Sequence, residues 1–325
     1  MYSPIRLTTV ALSISLLAAC GGASGPPALL ETTAPTLALA VSGTARLITV
    51  TNQGPQAATA LRANATQLPA GTSLRTTCPS ELLPGASCLL LITPGATPSA
   101  APGDLAPVPG DVAITADNAD ALNVAVSVLG HGSVHEGGYV IGMDDTTPVT
   151  GGIGGKTVAT AEIAPVHWSP VDAVVAGIYP DSTAAQGDCN GATDGRCNTQ
   201  RILAQFTTSD RSFAAAACAD SRQGGVADWY LPAVCELSYD NGSTGTLCGT
   251  QAAPLVPDNL RSRLYDMGLA GPYTLIYWSS TYSRRTGLHG ANMVRVGVYG
   301  PTFFTGDLDL RGSPAPARCM RTFAP

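Results

Sequence analysis

Eight cysteines, at 78, 88, 189, 197, 218, 235, 248 and 319, constrain this chain more than any other feature. An even number of thiols suits a disulfide framework formed in an oxidising compartment. Cys78 with Cys88, Cys189 with Cys197, and Cys235 with Cys248 lie close in sequence and read as local pairs. That leaves Cys218 and Cys319, 101 residues apart. Closing so long a loop stabilises by ~4.7 kcal/mol in the chain-entropy model. Eight cysteines allow many other connectivities, so this pairing stands as one hypothesis among them. Zinc is the competing use of thiols. No C-x-x-C pair or Cys/His cluster occurs, so no metal site is expected.

A ninth cysteine, Cys20, has a different context. Arg6 supplies a positive charge, and Leu7 to Leu17 is an apolar and small-residue run. That run is too short for a bilayer, which needs ~20 apolar residues. Leu17-Ala18-Ala19-Cys20 then matches the lipobox read by bacterial lipoprotein signal peptidase. Residues 1–19 are therefore expected to be a lipoprotein signal peptide, with Cys20 as the lipidation site. No Asp follows Cys20, which by resemblance to known lipoproteins favours the outer membrane. Several acyl chains on one residue anchor stably, so the membrane is an expected partner. Residues 20–35, rich in Gly, Ala, Ser, Pro and Thr, read as a flexible tether. The expected location is the outer membrane or cell surface.

The 306 residues that follow the expected cut are enough for about two domains. Gly and Pro number 61 together and aromatics are only 6%, so the chain should be β-rich with few long helices. The net charge of −6 does not point to nucleic acid. Its distribution is uneven: from Arg261 onward there are eight Arg against three Asp. Such a basic face attracts anionic ligands, although scattered solvated Arg would give the same count.

Residues 36–130 carry period-two patterns. Arg46–Thr51 and Cys88–Ile92 read as strands. Val112 and Ile114, then Val124, Val126 and Val128, alternate with small or polar residues. Several short half-buried strands imply an all-β sandwich. Val50-Thr-Asn-Gln-Gly54, Leu68-Pro-Ala-Gly71, Cys78 and Leu83-Pro-Gly-Ala-Ser-Cys88 resemble bacterial immunoglobulin-like repeats of surface proteins. The resemblance implies a spacer module.

Residues 137–325 follow a Gly/His-rich junction. Gly137–Ile141 opens as a strand. Arg211–Ser221 reads as a helix, with Ser209 or Asp210 as cap and Gly224-Gly225 as stop. Pro232 is placed to start a short helix through Leu237. Asp258 can cap a third, with Leu260, Leu264 and Met267 on one face and Gly268 ending it. Leu275–Trp278, Ala291–Val296 and Ala317–Phe323 then read as strands.

Three motifs stand in order here: Asp228-Trp-Tyr-Leu-Pro232 with Cys235-Glu-Leu237, then Tyr277-Trp-Ser-Ser-Thr281, then Arg318-Cys-Met-Arg321. Together they resemble the Lcl C-terminal domain family, a branch of C-type-lectin-like folds. Met320 stands where that family has Val. The resemblance implies an α+β C-type-lectin-like domain and an adhesive, non-enzymatic role. It also implies a bond from an early-helix Cys to a last-strand Cys, the places of Cys218 and Cys319. Trp229 and Trp278 are expected in the core. Ser279, Ser280 and Thr281 are expected to bond backbone, and Ser280 with His289 lacks the setting of a hydrolase pair.

In lectin-like folds ligands sit on loops between the last strands. Here that stretch holds Tyr282, Arg284, Arg285, His289, Asn292, Arg295, Tyr299, Phe303, Phe304, Asp307, Asp309 and Arg311. Arg and aromatic residues are typical of binding hot spots, and Arg284 with Arg285 could clamp sulfate or carboxylate. The expected ligand is a glycan or a protein; no catalytic residue and no cofactor is expected. The calcium-binding sugar motifs of lectins are missing, and the loop Asp188–Asp194 lacks the distal Glu of a calcium loop. Three rivals are a retroelement-diversified receptor-binding protein, a formylglycine-generating-type oxidase, and a structural envelope protein with no soluble ligand. The oxidase needs a reactive Cys pair near the C-terminus, where only Cys319 stands.

Overall fold

The computed structural model describes residues 27–240, 247–269, 276–283, 290–294 and 314–325. These residues are mostly β with few helices. The first ten strands are β1 (Leu30–Thr32), β2 (Thr36–Ala40), β3 (Arg46–Asn52), β4 (Ala58–Thr59), β5 (Arg62–Thr66), β6 (Ser73–Thr76), β7 (Glu81–Leu82), β8 (Ser87–Thr93), β9 (Gly110–Ala116) and β10 (Ala119–Leu129). They form two four-stranded sheets, β1-β3-β8-β6 and β2-β10-β9-β5. Alternation decides what they bury. Ile48, Val50, Leu90 and Ile92 from one sheet meet Val112, Ile114, Val124, Val126 and Val128 from the other in a shared core. Each such side chain contributes about 1.5–3 kcal/mol on leaving water. Asn52 ends β3 and organises the turn after it: its side chain accepts from Gly54 N at 3.0 Å and donates to Leu82 O at 2.9 Å. Gly54 must be glycine there, since a Cβ would lie 2.4 Å from Leu29 N.

The remaining elements are β11 (Val134–His135), β12 (Gly138–Asp144), β13 (Gly154–Ala159), β14 (Ile163–Val166), α1 (Gly195–Gln205), α2 (Ala214–Ala219), α3 (Val234–Leu237), β15 (Tyr277–Ser283), β16 (Gly290–Val294), β17 (Ala315–Ala317) and β18 (Met320–Phe323). One sheet runs β11-β12-β13-β18, and two pairs, β14-β17 and β15-β16, stand beside it. Four disulfides join Cys78–Cys88, Cys189–Cys197, Cys218–Cys319 and Cys235–Cys248, the pairs that the spacing suggests. No helix among the described residues is long and apolar enough to cross a membrane.

Three helix readings need correction. The Ala-rich helix spans only Ala214–Ala219, and Phe213 before it is extended. Phe213 is buried against Phe206 and bridges His167, so tertiary contacts override the local propensity of Arg211 and Ser212. Asp210 caps Ser212 in a turn instead. The helix after Pro232 starts at Val234, with Ala233 extended before it. The third reduces to one wide turn, Arg261–Tyr265, in which Asn259, not Asp258, accepts from Ser262 N at 2.8 Å. Asp258 pairs with Arg263, and Met267 is half exposed.

The two units meet along a seam built around Arg46. Its place in the β3 alternation turns it inward, and its side chain is fully buried. The guanidinium donates to Thr147 O at 3.0 Å, Pro148 O at 2.9 Å, Asp145 O at 3.0 Å and Asp145 Oδ1 at 2.6 Å. Leu47 N to Val149 O and Ile153 N to Ala38 O add backbone bonds across the same seam. Ala40, Leu129, Val140, Ile153 and Phe323 pack beneath it. Arg46→Met fills the volume but strands those carbonyl groups. Asp145 keeps some solvent, so the expected loss is modest, about 2 kcal/mol by urea denaturation.

Candidate functional site

The three motifs of the second unit interlock. Asp228 holds Arg321 at 2.6 Å, which ties the first motif to the last. Tyr230 and Met320 bond each other's backbones, at 2.8 Å and 2.9 Å. Ser280 N donates to Pro232 O at 2.8 Å, which ties the first motif to the middle one. Tyr277 and Arg318 both reach Glu162, and the Arg318 guanidinium lies 5.9 Å from the Tyr277 ring centre. Arg318 also donates to Ala159 O at 2.8 Å. Burial works against the Arg321 charge, but bonds to Asp228 and Glu136 hold its pKa above the ordinary value. The Cys218–Cys319 bridge then fixes α2 to the segment between β17 and β18.

Both tryptophans of the motifs are in the core, Trp229 at 2% and Trp278 at 0% exposure. Trp278 Nε1 donates to Val166 O and Trp168 Nε1 donates to Ser279 O, each at 2.8 Å. Thr281 accepts from Val234 N at 3.0 Å and donates to Gly191 O at 2.8 Å. Ser280 Oγ is buried and accepts from Asn198 Nδ2 at 3.1 Å. The hydroxyl-rich motif thus spends its side chains on fastening β15 to α3 and to the loop before α1.

Glu236 is the hub beneath this arrangement. It is 2% exposed. Its Oε2 accepts from Gly195 N at 3.1 Å and Ala233 N at 2.9 Å. Its Oε1 accepts from Lys156 Nζ at 2.6 Å and Tyr230 OH at 3.0 Å. Burial and the Glu236 charge push the Tyr230 pKa well above its usual value. Four donors on two oxygens make this carboxylate a structural acceptor. Sequence reading passed over both Lys156 and Glu162. The signal for Lys156 was its rarity: it is the only lysine, beside sixteen arginines.

The ribbon β15-β16 carries the stretch expected to bind ligand. Ser283 pairs with Gly290 at one end, and Tyr277 with Val294 at the other. A seven-residue strand spans roughly 20 Å. Arg284, Arg285, His289, Arg295, Tyr299, Phe303, Phe304, Asp307, Asp309 and Arg311 lie outside the described residues, as does Cys20. Asn292 is on β16, with its side chain outside them too. Tyr282 alone is fully described. It is 2% exposed and packs between Trp168 and Tyr179, at 5.6 Å and 5.7 Å between ring centres. Burial, with Tyr179 and Asp172 nearby, pushes its pKa up to about 12. Its place is in the core, not on a ligand-facing surface.

The loop Asp188–Asp194 spends its oxygens within the protein. Asp194 caps α1 through Cys197 N at 2.9 Å, Asn190 accepts from Ala184 N at 3.0 Å, and Asp188 lies 3.6 Å from Arg201. Among the described residues no group of three or more His, Cys, Asp or Glu could hold a metal. All eight described cysteines are bridged.

No family model matches the chain, and no curated protein does. Among solved structures it is similar to the secreted serine protease VesC from Vibrio cholerae, at 16% identity over 41% of this chain. The chain spans 33% of that protein's length, and the TM-score of 0.24 carries no argument about fold or activity.

Proposed function

We propose that this chain is a lipid-anchored surface binding protein: an immunoglobulin-like sandwich carrying a C-type-lectin-like head of the Lcl C-terminal type. In this reading Cys20 holds the chain on the outer membrane, facing an oxidising space, and the head is an adhesin for polyanionic glycans. The observation that carries it is the interlock of the three motifs. Their conspicuous side chains are consumed in fastening β15 and β18, and Cys218–Cys319 staples the frame. What is left to meet a partner is the sequence between the last strands, and that sequence is rich in Arg and aromatic residues.

The test is a glycan array on the mature chain from Cys20, with neutral and sulfated glycans, repeated with salt. Sulfated glycans should be retained, and binding should fall as salt rises because exposed charges are screened beyond ~8–10 Å. Arg284→Ala with Arg285→Ala should weaken retention by about tenfold, the loss of one charge-assisted fork. Retention that ignores both salt and the double variant would refute the polyanion reading.

A further inference from the structure

We propose that the seam between the two units is an acid-sensitive joint, fixed while His131 and His135 are neutral and loosened when they take up protons beside Arg263 and Arg321. This goes beyond the ligand reading and does not rest on it.

Both histidines belong to the junction itself. His131 sits in the link between β10 and β11. The neighbouring Gly132 is clamped from both sides: Gly103 N donates to its carbonyl and its own N donates to Val140 O, each at 2.9 Å. A Cβ on Gly132 would meet Pro102 at 3.0 Å and Leu269 at 3.2 Å, so the link has no slack. His135 stacks edge-on against Phe323, ring centres 4.9 Å apart. Phe323 in turn packs with Ala40, Leu129, Val140 and Ile153 under the seam. A cleft of about 520 Å³ runs along this line, with His135 and Glu136 on one wall and Thr33, Thr36 and Ser127 on the other. Among the described residues, the first unit's wall carries no titratable side chain.

Among the described residues the charged neighbours are few. His131 feels Arg263 and Asp258, and those two are bonded to each other at 2.9 Å. His135 feels Glu136, 4.0 Å away, and Arg321. Glu136 is already given to Arg321, which also holds Asp228. Glu136 adopts φ +47° in the turn between β11 and β12, a conformation unfavourable for a side chain of its size, and its bond to Arg321 helps hold it there. So each imidazole has a carboxylate nearby that is already committed to an arginine. Burial is the largest influence on both and lowers their pKa below the ordinary 6.5; at His131 the Arg263 charge adds to it against a weaker Asp258, and at His135 burial outweighs the upward pull of Glu136, which Arg321 partly offsets. The folded chain then binds fewer protons here than the unfolded one. Its stability from this source is complete above about pH 6.5 and is lost as pH falls below it.

The experiment is residue-resolved hydrogen exchange on the mature chain at pH 7.0 and 5.5, corrected for intrinsic rates. Leu47 N and Ile153 N report the seam, and β9–β10 amides serve as the internal control. Seam protection should fall about tenfold relative to the control at the lower pH. That fall should vanish in the His131→Gln, His135→Gln double variant. A seam that loses protection only in step with β9–β10, or a fall that persists in the double variant, overturns the proposal. Should the double variant fail to fold, proton NMR titration of the wild-type imidazoles decides: both must titrate below 6.5, and either one at or above it overturns the joint.

Discussion

Replacing Cys218 and Cys319 together with alanine should cost the second unit about 4–5 kcal/mol in urea denaturation. The bridge closes 101 residues and ties α2 to the last strand segment. Its chief effect is on the unfolded chain, whose freedom grows when the loop is released. Both sulfurs are fully buried, and alanine leaves no orphaned polar group behind. The comparison that isolates the loop term is Cys78→Ala with Cys88→Ala, where the separation is 10. Chain entropy makes that pair worth about 2 kcal/mol less. Equal losses from the two pairs would show that loop length is not what makes the long bridge matter.

Glu236→Gln should lose about 3 kcal/mol although it changes one atom. Gly195 N, Ala233 N, Lys156 Nζ and Tyr230 OH all donate to this side chain. Glutamine supplies one acceptor oxygen and turns an amide nitrogen toward the remaining donors, so two are stranded in a site only 3% exposed. With its oxygen kept on Gly195 N and Ala233 N, the glutamine turns its amide toward Lys156 and Tyr230; Lys156 is about a quarter exposed, which tempers the ion-pair part of the loss. Removing the charge should also bring the Tyr230 pKa down toward its ordinary range, read by alkaline absorbance titration. A variant as stable as wild type would mean that the hub does not hold α3 to α1.

Period-two patterns in the first unit were readable because one face of each strand is aliphatic, as in β9 and β10. Arg46 was not, because an arginine in an inward slot has meaning only beside the carbonyls of residues 145–152, about a hundred positions away. α1 escaped for a related reason. Its buried positions include Asn198 and Thr199, whose side chains donate to Gly191 O, Ser280 Oγ and Leu231 O, so no apolar stripe marks it. Conversely, four alanines overstated α2, where Phe213 obeys its packing against Phe206. In the candidate site, the tryptophans were legible as packing groups and Thr281 as a backbone fastener, whereas the Ser280 hydroxyl, also expected on backbone, meets the Asn198 side chain. Tyr282 was misplaced toward ligand, since a tyrosine at a strand end gives no sign of which way it faces.

The covalent frame around the last strand can be tested in one measurement: tryptic mapping of the chain, purified under oxidising conditions, without reduction. Cleavage at Arg211, Arg222, Arg318 and Arg321 should yield Ser212–Arg222 bonded to Cys319–Arg321 as a single species. Recovery of the Cys319 peptide as a free thiol, or joined to any other cysteine, would contradict the stapled scaffold of the second unit.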